Sequence, residues 1–276
     1  MSISTGVELT TGARFDCVPP RTGRPRQSYL ICSSPRCGSS LLSTLLMDGG
    51  GAGVPIEYFN LPIRRILEHR WGCGPDLPSY VDALNALRVG ADGTLGVKAH
   101  WHHVLSLYGE LSGGSTANPY RVADEVLEEI LPACRYVWIR RDDHVAQAVS
   151  FFLAIRTGRW ARLAGEPDLA REEAPTYDFD AIDRCRRFLE GEEACWRRYF
   201  RGNGLDPLIV DYEDFVENIG GTLAAVRSYL GMSEAPVPPV RLQRQRSPVS
   251  TEYGERYLAD RATRGLDSPT WVIGAA

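Results

Sequence analysis

The sequence predicts an α/β fold in which helices cover both faces of a central parallel sheet, a three-layer α/β/α arrangement. Three apolar segments, residues 29–32, 135–141 and 207–213, have the length and composition of buried strands. A polar turn and then a helical pattern follow each of them. Strands that alternate with helices in this way pair in parallel. Because ligands of such sheets bind at the carboxyl ends of the strands, we expect the functional residues there.

The first strand leads into the turn SSPRCGSS and an apolar helix that begins at Ser39 or Ser40. Short side chains let a phosphate approach the backbone, and a helix N-terminus directs N–H groups and a positive dipole end at it. Pro35 stiffens the turn, and Arg36 supplies a planar cation suited to phosphate. The turn therefore predicts an oxyanion site, with an ordinary serine-capped turn as the alternative.

The later predicted elements are, in chain order, an irregular segment at 49–62, a strand at 94–101, and helices at 142–158, 180–200 and 215–231. Glycine at four of the five positions 49–53 precludes regular structure before Glu57. Asp142 and Asp143 are typical caps at a helix start, and Gly158 is a typical stop signal.

Composition limits the class of protein. A chain of 276 residues with 43% hydrophobic content suits one large domain, which we assign to residues 28–276 after a flexible N-terminal extension at 1–27. A net charge of −4 gives no reason to expect nucleic acid. Since no apolar run reaches the ~18 residues that cross a bilayer and no signal core opens the chain, we expect a cytoplasmic protein without a membrane span.

Neither cysteines nor histidines form a metal-binding pattern. The seven cysteines lack a CxxC pair or zinc-ligand spacing, which indicates reduced thiols. Strand alternation places His100 and His102 on one face and His103 on the other, with no carboxylate or cysteine to complete a coordination set. We therefore expect no metal.

Five motifs in chain order make residues 28–260 resemble the PAPS-dependent sulfotransferases (PAPS is 3′-phosphoadenosine 5′-phosphosulfate), within them the bacterial group typified by mycobacterial trehalose 2-sulfotransferase. The motifs are SSPRCGSSLL, GVPIEYF, GVKAHW, IRRDDHVAQAVSFF and RQRSPVSTEYGERY. The resemblance implies a P-loop-like fold, a sulfotransferase activity with PAPS as donor and 3′,5′-ADP as product, and a small-molecule hydroxyl acceptor. It also implies a homodimer.

The resemblance assigns the donor site motif by motif. The 5′-phosphosulfate would be held by Arg36, Cys37, Gly38, Ser39 and Ser40, the 3′-phosphate by Arg141 and Ser150, and the closing C-terminal loop would contribute Arg244 and Gln245. A guanidinium and a hydroxyl that converge on one phosphate suit a donor that carries a 3′-phosphate, which ATP lacks. Arg140 points to the other face of its strand and carries less weight, and the sequence leaves a phosphate contact and a surface ion pair equally open for it.

The resemblance makes Glu57 the general base, because an acceptor hydroxyl must lose its proton as the O–S bond forms. Arg36 would stabilise negative charge on the leaving group. Lys98, which matches the GVK segment, would neutralise sulfonate or phosphate charge or pair with an acid, and Trp101 and His102 would line the acceptor pocket. The role of each histidine remains open between this pocket and a purely structural contact.

Two positions indicate an acceptor other than trehalose. The trehalose enzymes carry an acid where this chain has Val54 and a glutamine where it has Ile56. Loss of two partners for sugar hydroxyls costs roughly 1–3 kcal/mol each, which favours a more apolar acceptor such as a glycolipid or a glycosylated product of secondary metabolism.

Two other functions are weighed against this one. A P-loop kinase or nucleotide hydrolase would share the sheet and the turn, but the GxxxxGK[ST] spacing with its lysine is absent, and Asp211 is the nearest acid for Mg²⁺. A catalytically silent nucleotide-binding scaffold would make Glu57 dispensable.

Overall fold

The computed structural model describes residues 11–111, 120, 127–166, 171–243 and 246–266, and every structural statement concerns these residues. Within them the sheet consists of β1 (Gln27–Ser33), β2 (Thr94–His100), β3 (Cys134–Arg140) and β4 (Leu208–Asp211). The strands lie in the order β2-β1-β3-β4, and every neighbouring pair is parallel. The prediction of an α/β fold with a parallel sheet is confirmed.

Helices connect and flank the strands. They are α1 (Ser39–Asp48), α2 (Leu61–Trp71), α3 (Leu77–Arg88), α4 (Trp101–Leu111), α5 (His144–Thr157), α6 (Phe179–Asn203), α7 (Tyr212–Glu217), α8 (Ile219–Tyr229) and α9 (Pro248–Thr263). Short 3-10 turns lie at Ala13–Phe15 and Arg171–Glu173.

Successive residues of β1 enter two different cores, which produces the three layers. Leu30 and Cys32 pack with side chains of α2, α3, α4 and α6, whereas Tyr29 and Ile31 pack with α1, α7 and α8. Burial on both faces is what parallel strands require. A third cluster joins α5, α6 and α9 beside the sheet.

The turn after β1 lies where the strand order reverses. β1 pairs with β2 on one side and β3 on the other, so the chain leaves β1 toward one edge and later returns to the opposite edge. Crevices at such switch points are the usual ligand sites of open α/β sheets. The register places Lys98 beside Ile31 and His100 beside Ser33, which brings the end of β2 next to this turn.

Several element boundaries differ from the predictions. The predicted helix at 215–231 is wrong, because Asn218 interrupts it and caps α8 by accepting a hydrogen bond from Gly221 N–H. β2 ends at His100, and Trp101 already belongs to α4. The helices α2, α3, α4 and α9 were not predicted, although Asp76 caps α3 and a capping box of Ser247 and Ser250 begins α9.

Residues 11–26, part of the predicted N-terminal extension, contact the rest of the chain. The carboxylate of Asp16 accepts hydrogen bonds from Arg70 and Arg88, and Cys17 N–H donates to Leu87 O. The division of the chain into an extension and one domain stays a prediction.

Candidate active site

The turn between β1 and α1 is shaped by two residues with left-handed backbones. Gly38, the N-cap of α1, has φ +91°, and a Cβ there would lie 2.4 Å from Tyr212 Cδ2. Arg36 has φ +67° although it is not a glycine. Only glycine tolerates both the positive φ and the lack of space for a Cβ at position 38. A non-glycine residue with a positive φ, such as Arg36, carries backbone strain, and such residues cluster at functional sites.

Two buried side chains hold this turn from behind. Gln147 Nε2 donates to Ser34 Oγ at 2.9 Å and to Pro35 O at 2.8 Å. Trp196 Nε1 donates to Ser33 O at 2.9 Å. The turn is thereby fixed to α5 and α6. Sequence reasoning missed both residues; a glutamine on the buried side of the apolar helix α5 was the available signal.

Two arginines and a serine meet beside the turn, although the resemblance assigned Arg141 and Ser150 to the 3′-phosphate and Arg36 to the 5′-phosphosulfate. Arg36 Nε donates to Ser150 Oγ at 3.0 Å, and Arg141 Nη1 donates to Arg36 O at 3.4 Å. The Arg141 guanidinium lies 4.8 Å from the centre of the Tyr212 ring. Its buried Nε has no hydrogen-bond partner in the described part of the chain, since Glu213 Oε1 is 3.9 Å away.

The electrostatics of this cluster favour an anion. Burial, together with the charge of Arg141, lowers the pKa of Arg36 to about 10. An anion bound here would meet two guanidinium groups and could accept a hydrogen bond from Arg141 Nε, whose nearest acceptor, Glu213 Oε1, is 3.9 Å away.

The same cluster opens into a cavity of about 240 Å³. Its lining comprises the turn and α1 start with Gly38, Ser39 and Ser40, the loop residues Trp160 and Arg162, and Gln243, Arg246 and Ser250 from the C-terminal part. The predicted residues Arg244 and Gln245 lie outside the described residues. Cys37 is fully buried in the core, and burial raises the pKa of its thiol. Any contribution of Cys37 to the donor site is thus through its backbone.

Glu57 lies on the other side of the turn, in contact with three side chains. Lys98 Nζ is 2.9 Å and His100 Nε2 is 3.4 Å from Glu57 Oε1, and Asn60 Nδ2 donates to Oε2 at 2.8 Å. Lys98 Nζ also donates to Ser40 Oγ at 3.0 Å. Burial raises the pKa of the Glu57 carboxyl, but Lys98, His100 and His103 outweigh burial and hold that pKa well below its ordinary value.

The backbone places Glu57 by a short extension of the sheet. Ile56 forms a parallel bridge with Val97, and Lys98 N–H donates to Ile56 O at 2.9 Å. The glycine-rich segment therefore returns to the outer edge of β2, and the next side chain, Glu57, meets the two basic residues of that strand.

The three histidines come together instead of dividing between two faces. Because α4 begins at Trp101, the predicted alternation does not apply, and the ring centres of His100, His102 and His103 lie 4.3–5.6 Å apart. Burial and the neighbouring His100 lower the pKa of His103 to about 2. Among the residues that the structure describes, no group of His, Cys, Asp or Glu has the geometry to hold a metal ion.

Glu192 of α6 supports this group and was missed by sequence reasoning. Its carboxylate accepts hydrogen bonds from Trp101 N–H at 2.7 Å and His102 N–H at 3.0 Å, and it lies 3.2 Å from His102 Nδ1. A buried carboxylate at the start of α4 is stabilised by the helix dipole. Trp101, predicted to line the acceptor pocket, is 1% exposed and packs against Trp196 in the core, which corrects that expectation.

The arginine cluster and the Glu57 carboxylate lie on two sides of one turn, and the comparisons with known proteins identify the family of this chain. The sequence model of the Stf0 sulphotransferase family matches residues 28–260. This chain belongs to the Stf0 sulphotransferase family. It is therefore a sulfotransferase.

Relatives of this Stf0 sulphotransferase are known from mycobacteria. The chain is 29% identical over 266 residues to a trehalose 2-sulfotransferase of Mycobacterium tuberculosis (strain ATCC 35801 / TMC 107 / Erdman), covering 88% of this chain and 98% of the relative. It is 28% identical over 262 residues to a trehalose 2-sulfotransferase of Mycolicibacterium smegmatis, with 87% and 97% covered. The crystal structure of a sulfotransferase from Alicyclobacillus acidocaldarius is similar with a TM-score of 0.49 at 16% identity, covering 88% of this chain and 94% of that one.

The Stf0 chain shows further features that bear on the predictions. Arg140 forms an ion pair with Asp211, the acid considered for Mg²⁺. Ile56 is 4% exposed and Val54 packs against the same core.

No helix in the described ranges is long and apolar enough to cross a membrane.

Proposed function

We propose that this sulfotransferase moves the sulfonate group of PAPS to a hydroxyl of a carbohydrate, glycolipid or glycosylated metabolite, with Glu57 as general base. The acceptor oxygen forms a bond to sulfur while the bond between sulfur and the 5′-phosphate oxygen breaks. The hydroxyl proton passes to Glu57, and 3′,5′-ADP leaves with the electron pair. The observation that carries the proposal is the pairing of a two-arginine anion site with a carboxylate across a single turn.

The residues of the cavity fit a donor with phosphates at both ends of its ribose. Gly38, Ser39 and Ser40 line the cavity, so the backbone N–H groups at the start of α1 are close to a ligand bound there. Arg141, with its orphaned Nε, and Ser150 are suited to the 3′-phosphate. Arg36 then stabilises the charge that develops on the departing bisphosphate.

Glu57 is ionised and can accept a proton, but its low pKa makes it a weak base while Lys98 and His100 contact it. A carboxylate whose pKa is well below its ordinary value remains deprotonated at neutral pH. Lys98 contacts both this carboxylate and Ser40 of the turn, so an anion in the turn would draw the ammonium group toward itself. The basicity of Glu57 would rise when the donor is present.

The acceptor class follows from the relatives and from two apolar positions. The mycobacterial relatives are named for trehalose, whereas Val54 and Ile56 offer no partner for a sugar hydroxyl. We propose a small-molecule acceptor that carries a hydroxyl on a less polar framework, without nucleic acid as partner.

Ligand binding tests the donor assignment. We expect 3′,5′-ADP at a hundredfold excess over its Kd to raise the melting temperature by about 5–10 °C, and 5′-AMP or ATP to do much less. Arg141→Met should weaken 3′,5′-ADP binding at least tenfold and abolish the preference over 5′-AMP. Arg140→Met, which changes an adjacent arginine paired with Asp211, is the matched control. Stronger stabilisation by ATP with Mg²⁺ would favour a P-loop kinase instead.

Turnover of a base variant tests the mechanism. Glu57→Gln should reduce PAPS-dependent transfer at least a thousandfold while 3′,5′-ADP binding persists. Unchanged turnover in Glu57→Gln would contradict a role of Glu57 as the base. A wild-type protein that binds 3′,5′-ADP but transfers sulfonate to no tested acceptor would favour a catalytically silent nucleotide-binding scaffold.

We also propose a cytoplasmic location and a homodimer. All seven cysteines are free thiols, the state that reducing compartments maintain. The dimer rests on the family resemblance alone, and light scattering of the purified protein tests it.

A further inference from the structure

Four partly exposed rings, from α4, α5, α6 and the loop that follows α5, form a continuous row. The ring centres of Phe151 and Trp160 lie 6.1 Å apart, those of Phe151 and Phe188 lie 5.7 Å apart in a stacked arrangement, and those of Phe188 and His102 lie 5.6 Å apart. Trp160 is 44% and Phe188 is 40% exposed. We call Trp160, Phe151, Phe188 and His102 the aromatic row.

The two ends of the aromatic row lie at the two halves of the candidate active site. Trp160 lines the donor cavity, and its carbonyl oxygen accepts a hydrogen bond from Arg36. At the other end the His102 ring lies 5.6 Å from the ring of His100, which contacts Glu57. The row thus runs beside the region in which the base and the donor must meet.

The exposure of Trp160 and Phe188 contrasts with the burial of neighbouring apolar residues. Neighbouring residues of the same helices, such as Phe152 of α5 and Leu189 of α6, enter the core and are at most 2% exposed. A contiguous exposed apolar surface on a folded protein usually marks a binding site. Aromatic rings bind flat apolar groups through large contact area and favourable ring geometry.

We propose that the aromatic row binds an aromatic or flat apolar part of the acceptor, whose hydroxyl is thereby presented to Glu57. This inference rests on the proposed sulfotransferase mechanism and narrows its substrate class to hydroxylated or glycosylated aromatic and polycyclic compounds. His100 contacts Glu57, and the His102 ring lies between the rings of His100 and Phe188, 5.6 Å from each. A ligand with its hydroxyl at Glu57 is therefore close to the end of the aromatic row.

The aromatic row adjoins the candidate active site at both ends. This position favours the acceptor, and not a second copy of the chain, as the molecule that binds the row. A subunit seated on the row would cover the approach to Trp160 and His102, the two residues that adjoin the donor cavity and the base. An acceptor must occupy that approach for transfer to take place. The experiment distinguishes the two occupants.

Two glucosides that differ only in their aglycone test the proposal. Isothermal titration calorimetry is carried out on the protein saturated with 3′,5′-ADP, with 2-naphthyl β-D-glucoside and methyl β-D-glucoside as probes. We expect the naphthyl compound to bind at least tenfold more tightly. Phe188→Ala should remove most of this preference and leave the affinity for 3′,5′-ADP unchanged. Leu258→Ala, a change of an exposed apolar residue on α9, should leave both unchanged.

The outcomes separate this inference from the proposed function. Equal affinities of the two glucosides, no measurable binding of the naphthyl compound, or a preference that survives in Phe188→Ala would overturn it. A dimer that dissociates in Phe188→Ala while the preference persists would show that the row is a subunit contact and also overturn it. Failure of 3′,5′-ADP to bind the wild-type protein would instead contradict the proposed donor, whichever glucoside binds.

Discussion

The ammonium group of Lys98 lies 2.9 Å from the carboxylate of Glu57, and its next contact is Ser40 Oγ at 3.0 Å. Lys98 is the single lysine of the sequence. Both side chains are largely buried, with 8% and 16% exposed. One cation therefore connects the candidate base to the turn that would hold the donor, and its removal would affect both.

Lys98→Met should shift the acid limb of kcat/KM to higher pH. Because Lys98 is the strongest influence that lowers the pKa of Glu57, its loss raises that pKa, and the carboxyl is protonated over a wider acidic range. Because the same ammonium group also contacts Ser40 of the turn, its loss removes charge stabilisation of the donor, and for that reason we expect turnover at neutral pH to fall at least tenfold. Lys98→Arg retains the charge and should keep the acid limb near its wild-type position. An acid limb that stays in place in Lys98→Met would contradict the pairing with Glu57.

His103 should make the free energy of unfolding depend on pH. Its pKa of about 2 in the folded protein is below the value of about 6.5 expected in the unfolded chain. The unfolded state therefore gains a proton first as pH falls, and stability that is fully present above about pH 6.5 is lost below it. The loss reaches up to about 2 kcal/mol at pH 5.

His103→Asn tests this dependence, since an amide oxygen can accept the hydrogen bond that His100 N–H donates to His103 Nδ1 at 3.3 Å. Urea denaturation at pH 7 and pH 5 should show a smaller difference in stability for the variant than for the wild type. The exposed His69→Asn serves as control and should retain the wild-type difference. An unchanged difference in His103→Asn would assign the acid sensitivity to other groups.

The turn and the helix ends were predictable because their signals are local. Small residues around Gly38 indicated a close backbone approach, and Asp143 and Gly158 cap α5 as expected: Asp143 accepts from Ala146 N–H at 2.8 Å, and Gly158 adopts φ +70°. Caps and turns depend on a few neighbouring residues. Asn218 shows the limit of such reasoning, because an apolar periodicity that continues across a cap hides the break.

The supports of the site were not predictable because they come from distant segments. Glu192 contacts Trp101, 91 positions away, and Gln147 contacts Ser34, 113 positions away. Periodicity reports which face of a helix is buried, and it does not report which partner lies opposite. The gathering of the histidines likewise depends on the exact end of β2, the kind of boundary that patterns determine least well.

Gly38→Ala should disrupt the turn itself. The added Cβ would lie 2.4 Å from Tyr212 Cδ2, at a φ of +91° that alanine rarely adopts. We expect a loss of about 1–3 kcal/mol in the free energy of unfolding and at least a tenfold weaker affinity for 3′,5′-ADP. Gly191→Ala in α6 is the control, because the added Cβ meets nothing within 4 Å. This variant should leave the free energy of unfolding unchanged or raise it by up to about 1 kcal/mol. Wild-type affinity in Gly38→Ala would show that the turn adapts.

Glu192→Gln should impair both stability and turnover through the start of α4. The carboxylate accepts two backbone hydrogen bonds there, and an amide has only one oxygen to accept them, so one N–H faces an NH₂ group. Because the site is buried, we expect a loss of about 1–3 kcal/mol in the free energy of unfolding. His102 and, through it, the position of the acceptor should shift, so the KM for the acceptor should rise while the Kd for 3′,5′-ADP is unchanged.

Glu190→Gln breaks only the partly exposed pair with Arg186 on the same helix and should cost less than about 1 kcal/mol with no kinetic effect. Equal effects of the two substitutions would mean that Glu192 supports the helix without positioning the site.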